Sequence, residues 1–118
     1  MFDITERVAS AVRDMRAVDG VCHVFAPHTT AGIIVNENAD PDVCRDFIAR
    51  FEELVPSNGS YHHAEGNAHA HIKAALVGQS AAIPIDNGRL ALGRWQGIFL
   101  AEFDGPRERT VVVTVVRE

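Results

Sequence analysis

A chain of 118 residues, 47% of them hydrophobic and 23% charged, has room for one folded domain spanning residues 1–118, and excludes both disorder and two independent cores. Its formal net charge of −5 argues against a nucleic-acid partner, so an anionic ligand must be gathered by a local group of cations and N–H donors. No apolar run nears the roughly 18–20 residues that cross a bilayer, and MFDITERVAS lacks the build of a signal peptide, so the expected setting is the cytoplasm with no membrane partner.

Asp3-Ile4-Thr5-Glu6 reads as a helix cap with a glutamate three positions on, and Ile4, Val8, Val12 and Met15 recur at helical spacing, which predicts a first helix over about 4–16. Asp19-Gly20 breaks the chain. VCHVFA then alternates as a strand, PHTT connects, and AGIIVN is a second strand. Asp40 before Pro41 is a cap followed by the residue best suited to a first helical position, and Val43, Phe47, Phe51 and Leu54 mark the expected buried stripe of a second helix ending near Val55-Pro56.

Residues 56–66, PSNGSYHHAEG, are dense in turn formers, and AHIKAALVG has the composition of a short third helix closed by Gly78. Strands follow: AAIPI, RLALG across the hairpin signal Asp86-Asn87-Gly88, QGIFLAEF, and TVVVTVV across DGPR. The order α-β-β-α-α-β-β-β-β predicts an α+β domain on antiparallel sheet. Cys22 and Cys44 form no CxxC pattern and read as buried free thiols.

Four of the six histidines carry the chemistry: His28 in the strand connection, His63 in the long loop, and His69 and His71 at the start of the third helix. A catalytic zinc takes three protein ligands and keeps a position open. Residues at i and i+2 on a helix point about 200° apart, which disfavours His69 and His71 as joint ligands, whereas on a strand they would share a face. The same junction reads equally as an anion site or as a polar cap. Gly66 and Asn67 lead into a helix N-terminus, Lys73 lies one turn on from His69, and Thr29 and Thr30 carry donor hydroxyls.

Asn36-Glu37-Asn38 with Asp40 clusters polar groups beyond a strand end, where Glu37 could act as a general base or a magnesium ligand while Asp40 caps a helix. Trp95, between Gly93 and Gly97, either packs as an anchor or offers a face to a flat ring. Around the DGPR turn, Glu102, Asp104 and Arg107 are most simply an internal ion pair.

The segments PHTTAGIIVNENADPDV, YHHAEG with AHIK, GRLALGRWQGIFLAEFDGPR and the closing valine-rich strand together resemble the YjbQ family, also called UPF0047 or secondary thiamine-phosphate synthase, from about residue 20 onward. The resemblance implies an antiparallel, sandwich-like α+β fold that assembles as a homotrimer with sites between subunits. It also implies a weak activity joining a hydroxymethylpyrimidine diphosphate to a thiazole phosphate, releasing pyrophosphate. The family's motif histidines correspond to His28, His63 and His71, the set that leaves His69 out. Two departures stand out: relatives are expected to carry a further N-terminal strand ahead of MFDIT, and Arg94 stands where they usually have a small residue.

The expectation is therefore a metal-assisted enzyme of phosphate-ester or thiamine-type chemistry. His28, His63 and His71 would hold a divalent ion, zinc most simply or magnesium with a diphosphate substrate; Glu37, Glu65 and Arg107 are the candidate catalytic groups. Thr29, Thr30, Asn36, Gly66, Asn67, Lys73 and Trp95 would contact a small phosphorylated molecule. A metal-dependent hydrolase, a non-catalytic trimer binding a phosphorylated metabolite, and a plain interaction module are the alternatives.

Overall fold

The computed structural model describes residues 1–118. In chain order the elements are β1 (Phe2–Asp3), α1 (Thr5–Asp14), β2 (Gly20–Phe25), β3 (Ala31–Glu37), α2 (Pro41–Leu54), α3 (Ala68–Val77), β4 (Ser80–Asp86), β5 (Arg89–Leu90), β6 (Gln96–Glu102) and β7 (Val112–Arg117). The strands form two antiparallel sheets, β1-β6-β3 and β5-β4-β2-β7. Ile33, Ile98 and Leu100 of the first sheet meet Cys22, Val24, Ile83 and Ile85 of the second in one core, closed by Ile4, Val8 and Val12 along α1. The α+β, antiparallel expectation is borne out.

Strand β1 is the element that the sequence hid. Phe2 and Asp3 pair with Leu100 and Phe99, so Asp3 is held extended and cannot be the α1 cap. Ile4 takes that position, and the Asp3 carboxylate accepts from the Thr5 N–H at 2.9 Å and the Thr5 hydroxyl at 2.6 Å. Helix α1 also ends earlier than its apolar spacing suggested, because Arg16 turns into the left-handed region at φ 54°. By contrast, Asp40 caps α2 as read: its side chain accepts from the Asp42 N–H at 2.9 Å, with Pro41 at the first helical position. The Asp86-Asn87-Gly88 hairpin forms with φ of 52° and 78° at its two central residues, as a primed turn requires.

The expected buried stripe of α2 is not buried. No α2 residue is fully enclosed, and Leu54 is 71% exposed. The helix is tethered along one side only, by stacking of Phe51 on Phe103 at 5.6 Å and by the Lys73 ammonium on Glu52 at 3.0 Å. Beyond that tether lies an open apolar groove of about 580 Å³ between α2, β3 and α3. Lys73 thus spends its charge inside the fold.

Two predictions follow from local contacts. A Cβ on Gly20, whose φ is +149°, would sit 2.1 Å from the Val116 carbonyl oxygen, so Gly20→Ala should cost roughly 2–3 kcal/mol in urea denaturation by prising β2 from β7. Glu52 is the acid-sensitive tether. The Ser57 backbone N–H, then Lys73, pull its carboxyl down from 4.5 to about 2. A depressed carboxylate adds stability that is fully present above its ordinary value and is lost as pH falls through the folded one. Urea midpoints should therefore drop between pH 4.5 and about 2, and Glu52→Gln should make that drop shallower.

Candidate functional site

Three segments meet where the chain crosses between the sheets: the β2–β3 connection at Pro27–Thr30, the loop and first turn leading into α3, and the stretch between β6 and β7. They enclose a pocket of about 420 Å³ with no hydrophobic residue in its lining. The strands set it there. Ala31 pairs with Glu102, so Thr30 and the residues after Glu102 emerge side by side at one end of β3 and β6.

Behind the pocket Arg109, one of its lining residues, forms a largely buried ion pair with Glu102. Arg109 donates from Nε to Glu102 Oε1 at 2.6 Å and from its terminal nitrogen to Oε2, with side chains only 9% and 12% exposed. The same terminal nitrogen donates to Thr30 Oγ1 at 2.8 Å. Since that hydroxyl accepts from Arg109, its own hydrogen is free to donate elsewhere. Burial pushes the Glu102 carboxyl up, but the Arg109 hydrogen bonds and the Asp104 N–H outweigh it and leave the group below its usual value. Arg109 is raised by its hydrogen bond to Glu102.

A second knot joins the helix to the turn. Asn67 Nδ2 donates to Asp104 Oδ2 at 2.7 Å, and Arg107 donates to the same oxygen at 3.0 Å and from Nε to the Asp104 carbonyl at 2.9 Å. The Asn67 amide, against some burial, and then the Arg107 charge hold the Asp104 carboxyl below its ordinary range. Asn67 occupies the N-cap position of α3 without capping it.

The imidazoles line the wall. His63 and His71 stand edge to face with ring centroids 5.1 Å apart. His28 Nε2 lies 2.9 Å from the Thr110 N–H and 3.1 Å from the Thr110 carbonyl. Either tautomer is therefore satisfied at Nε2, and Nδ1 can present a lone pair or a proton without losing that contact.

Three imidazoles on one wall are the donor set of a zinc-type ion, and an Nε2–H donated to Thr110 O is how a ligating histidine is usually oriented. The spacing does not match that donor set. No three His, Cys, Asp or Glu side chains converge closely enough to share an ion. The residues as they stand do not fit a three-histidine centre.

Of the residues singled out from the sequence, the pocket gathers His28, Thr29, Thr30, His63, Glu65, Asn67, His71 and Arg107. Both His69 and His71 lie within α3, and the two-residue offset sends them to opposite sides: His71 to this pocket, His69 with Lys73 to the α2 side. Gly66, at φ +78°, shapes the entry to the helix without lining the pocket. Asn36, Glu37 and Trp95 sit at the opposite end of the β3–β6 pair, where Glu37 faces Gln96, roughly 20 Å away at about 3.3 Å per residue. Trp95 is 54% exposed, with the Arg94 guanidinium over its ring at 4.8 Å. Arg109 and the backbone of Thr110 were missed. The signal was weak: Arg109 lies two residues beyond the turn that drew attention to Arg107.

The family model described as "UPF0047 protein YjbQ-like" matches residues 1–118. A UPF0047 protein of Methanocaldococcus jannaschii is 49% identical over 98% of this chain and 84% of its own length, and YugU of Bacillus subtilis is 46% identical over 98% and 89%. A YjbQ/UPF0047 crystal structure from Clostridium acetobutylicum superposes with TM-score 0.95 at 55% identity, covering 98% of this chain and 89% of that one. A YbjQ-like protein of unknown function from Sulfolobus solfataricus does so with TM-score 0.94 at 35% identity, covering 98% and 86%.

Proposed function

The chain belongs to the UPF0047, YjbQ-like family, and from that premise we propose that its polar pocket binds a small phosphorylated molecule and catalyses a reaction at its phosphate ester. The observation that carries this reading is the lining itself: eleven residues, none hydrophobic, with two arginines, three histidines and two threonines on one small cavity. Such a wall suits a hydrated anion with few apolar atoms. Arg107, the more open guanidinium, supplies the charge, and Thr29 and Thr30 donate hydroxyl hydrogens to the phosphoryl oxygens. His28, able to exchange tautomers against Thr110, gives or takes a proton at Nδ1, as His63 or His71, the paired imidazoles of the same lining, could do, with Glu65 as the carboxylate that can orient one of them.

Hydrolysis and a joining reaction that expels diphosphate, of the thiamine-phosphate kind, would call on the same groups. Product analysis separates them, because hydrolysis consumes water and forms no carbon–nitrogen bond. The primary test is binding. Inorganic phosphate titrated into ¹⁵N-labelled protein should shift the amides of Thr29, Thr30, Asn67 and Arg107, and Arg107→Gln should weaken it by about tenfold or more. Phosphate that leaves those amides unmoved at millimolar concentration refutes the reading.

A divalent ion on His28, His63 and His71, the expectation from the sequence, would need the three imidazoles to stand closer together than they do. Elemental analysis of protein purified without a histidine tag decides it: a stoichiometric first-row metal lost on His71→Ala supports the ion, and a metal-free wild type removes it. The assembly proposed with the anion-site reading is a homotrimer. Light scattering should give three times the 12.9 kDa of one chain.

A further inference from the structure

The folded chain leaves more of itself in water than a single copy of its size should. Its accessible surface is 7379 Å², whereas a folded monomer of 12.9 kDa exposes about 6,300 Å². Its radius of gyration of 15.4 Å likewise exceeds the roughly 13.5 Å expected of 118 residues. The surface excess, about 1,000 Å², is close to the roughly 800 Å² that one partner buries in a standard protein–protein interface.

Strand register shows where such a face lies. Val21, His23 and Phe25 of β2 look away from the core, because Cys22 and Val24 between them are fully enclosed. Opposite these three, β4 and β7 place only alanine, proline, serine, valine and threonine, so the face holds no aspartate, glutamate, lysine or arginine. Phe25, Val112 and Val116 are 45%, 43% and 57% exposed on it. Strand β7 is also an uncovered edge of six residues. The edges β1 and β5 are blunted at two residues each, and β3 is occupied at Ile33, whose N–H donates to the Gly78 carbonyl at 3.0 Å.

Charge identifies the occupant. A face without counter-charges leaves the charged groups of a foreign surface buried and unpaired, whereas the same face of a second copy meets it without mismatch. The other apolar surface, along α2, lacks this property, being bordered by the Arg45–Asp42 and Arg50–Glu53 pairs.

One end of the face adjoins the polar pocket. His28 follows Phe25 by three residues and Thr110 precedes Val112 by two, and the 2.9 Å contact of His28 Nε2 with the Thr110 N–H ties the two strand ends together. A copy seated on Phe25 and Val112 packs the strands from which both residues depart. Resting on the anion-site reading above, we propose that copies of this chain join through the outer face of β4, β2 and β7, and that this seat steadies the His28 side of the pocket, so that anion affinity depends on assembly.

The experiment pairs mass with affinity, by sedimentation equilibrium and calorimetric titration of inorganic phosphate on the full chain. Val116→Glu puts a carboxylate on the face four residues from Val112, roughly 13 Å from the pocket end at about 3.3 Å per residue. It should turn a multimeric wild type into monomers of 12.9 kDa and lower phosphate affinity by about fivefold or more. Thr114→Arg, at a second exposed position of the same face, should do likewise, with the native circular dichroism spectrum kept in both; Leu54→Glu on α2 should change neither mass nor affinity. A monomeric wild type overturns the proposal, as does an assembly that survives both face variants or dissociates with Leu54→Glu. Monomeric variants that bind phosphate as tightly as wild type overturn the coupling and leave the anion site standing. A multimeric wild type that ignores phosphate while the face variants dissociate overturns the anion site and the coupling but supports the face.

Discussion

Arg109→Met should destabilise the fold by about 2–3 kcal/mol, the cost of stripping one partner from a largely buried, hydrogen-bonded ion pair. Glu102 would be left 12% exposed with no cation against it, and Thr30 Oγ1 would lose a donor at 2.8 Å. The measurement is urea denaturation at pH 7 of Arg109→Met, Glu102→Leu and the double variant. The double variant should recover much of the loss, since an apolar pair leaves no orphan charge, though the Asp104 N–H that donates to Glu102 at 2.9 Å stays unpaired. A single Arg109→Met variant within about 1 kcal/mol of wild type would show the pair to be surface-like in energy. The pH dependence has one sign only. Glu102 sits below its ordinary carboxyl value, so its share of stability is whole above that value and fades in acid, whereas Arg109 is raised above its ordinary value and stays charged throughout the working range.

His71→Ala should reduce turnover by about 10²–10⁴-fold, the usual worth of a positioned acid or base. Two assays cover the reaction classes: phosphate release from p-nitrophenyl phosphate, and carbon–nitrogen bond formation between a pyrimidine diphosphate and a thiazole phosphate. His69→Ala is the internal comparison, because it lies on the same helix but faces α2, and its rate should stay within about twofold of wild type. If His71→Ala turns over as fast as His69→Ala in an assay where wild type is active, the imidazole wall has no part in the chemistry.

The elements were legible because their signals are local. Asp40-Pro41, the Asp86-Asn87-Gly88 turn and the alternation of VCHVFA each act within a few residues, and each is found where its chemistry put it. Strand β1 was not legible, since two residues carry no period and their pairing with Leu100 and Phe99 lies almost a hundred positions away. The half-open α2 is the same lesson in reverse: Val43, Phe47, Phe51 and Leu54 announce an apolar face, but not how much of it the rest of the chain covers. At the site, helical geometry correctly separated His69 from His71. Lys73, placed beside the anion on grounds of proximity in sequence, turns to Glu52 instead because it shares the face of His69. Glu37 and Trp95 are beyond reach for a reason that only strand register reveals.

The loosely held α2 contributes no residue to the polar pocket. Its amides should exchange first, ahead of the global transition, because little apolar surface resists their exposure, and native-state hydrogen exchange would show it. Opening of that kind breaks the Phe51 and Glu52 contacts and leaves Thr30, Asn67, Asp104 and Arg109 in place. The least durable segment thus lies outside the pocket yet touches its frame at Phe103, between Glu102 and Asp104, and at Lys73 on α3, so a breathing motion of α2 would be felt first at those two contacts.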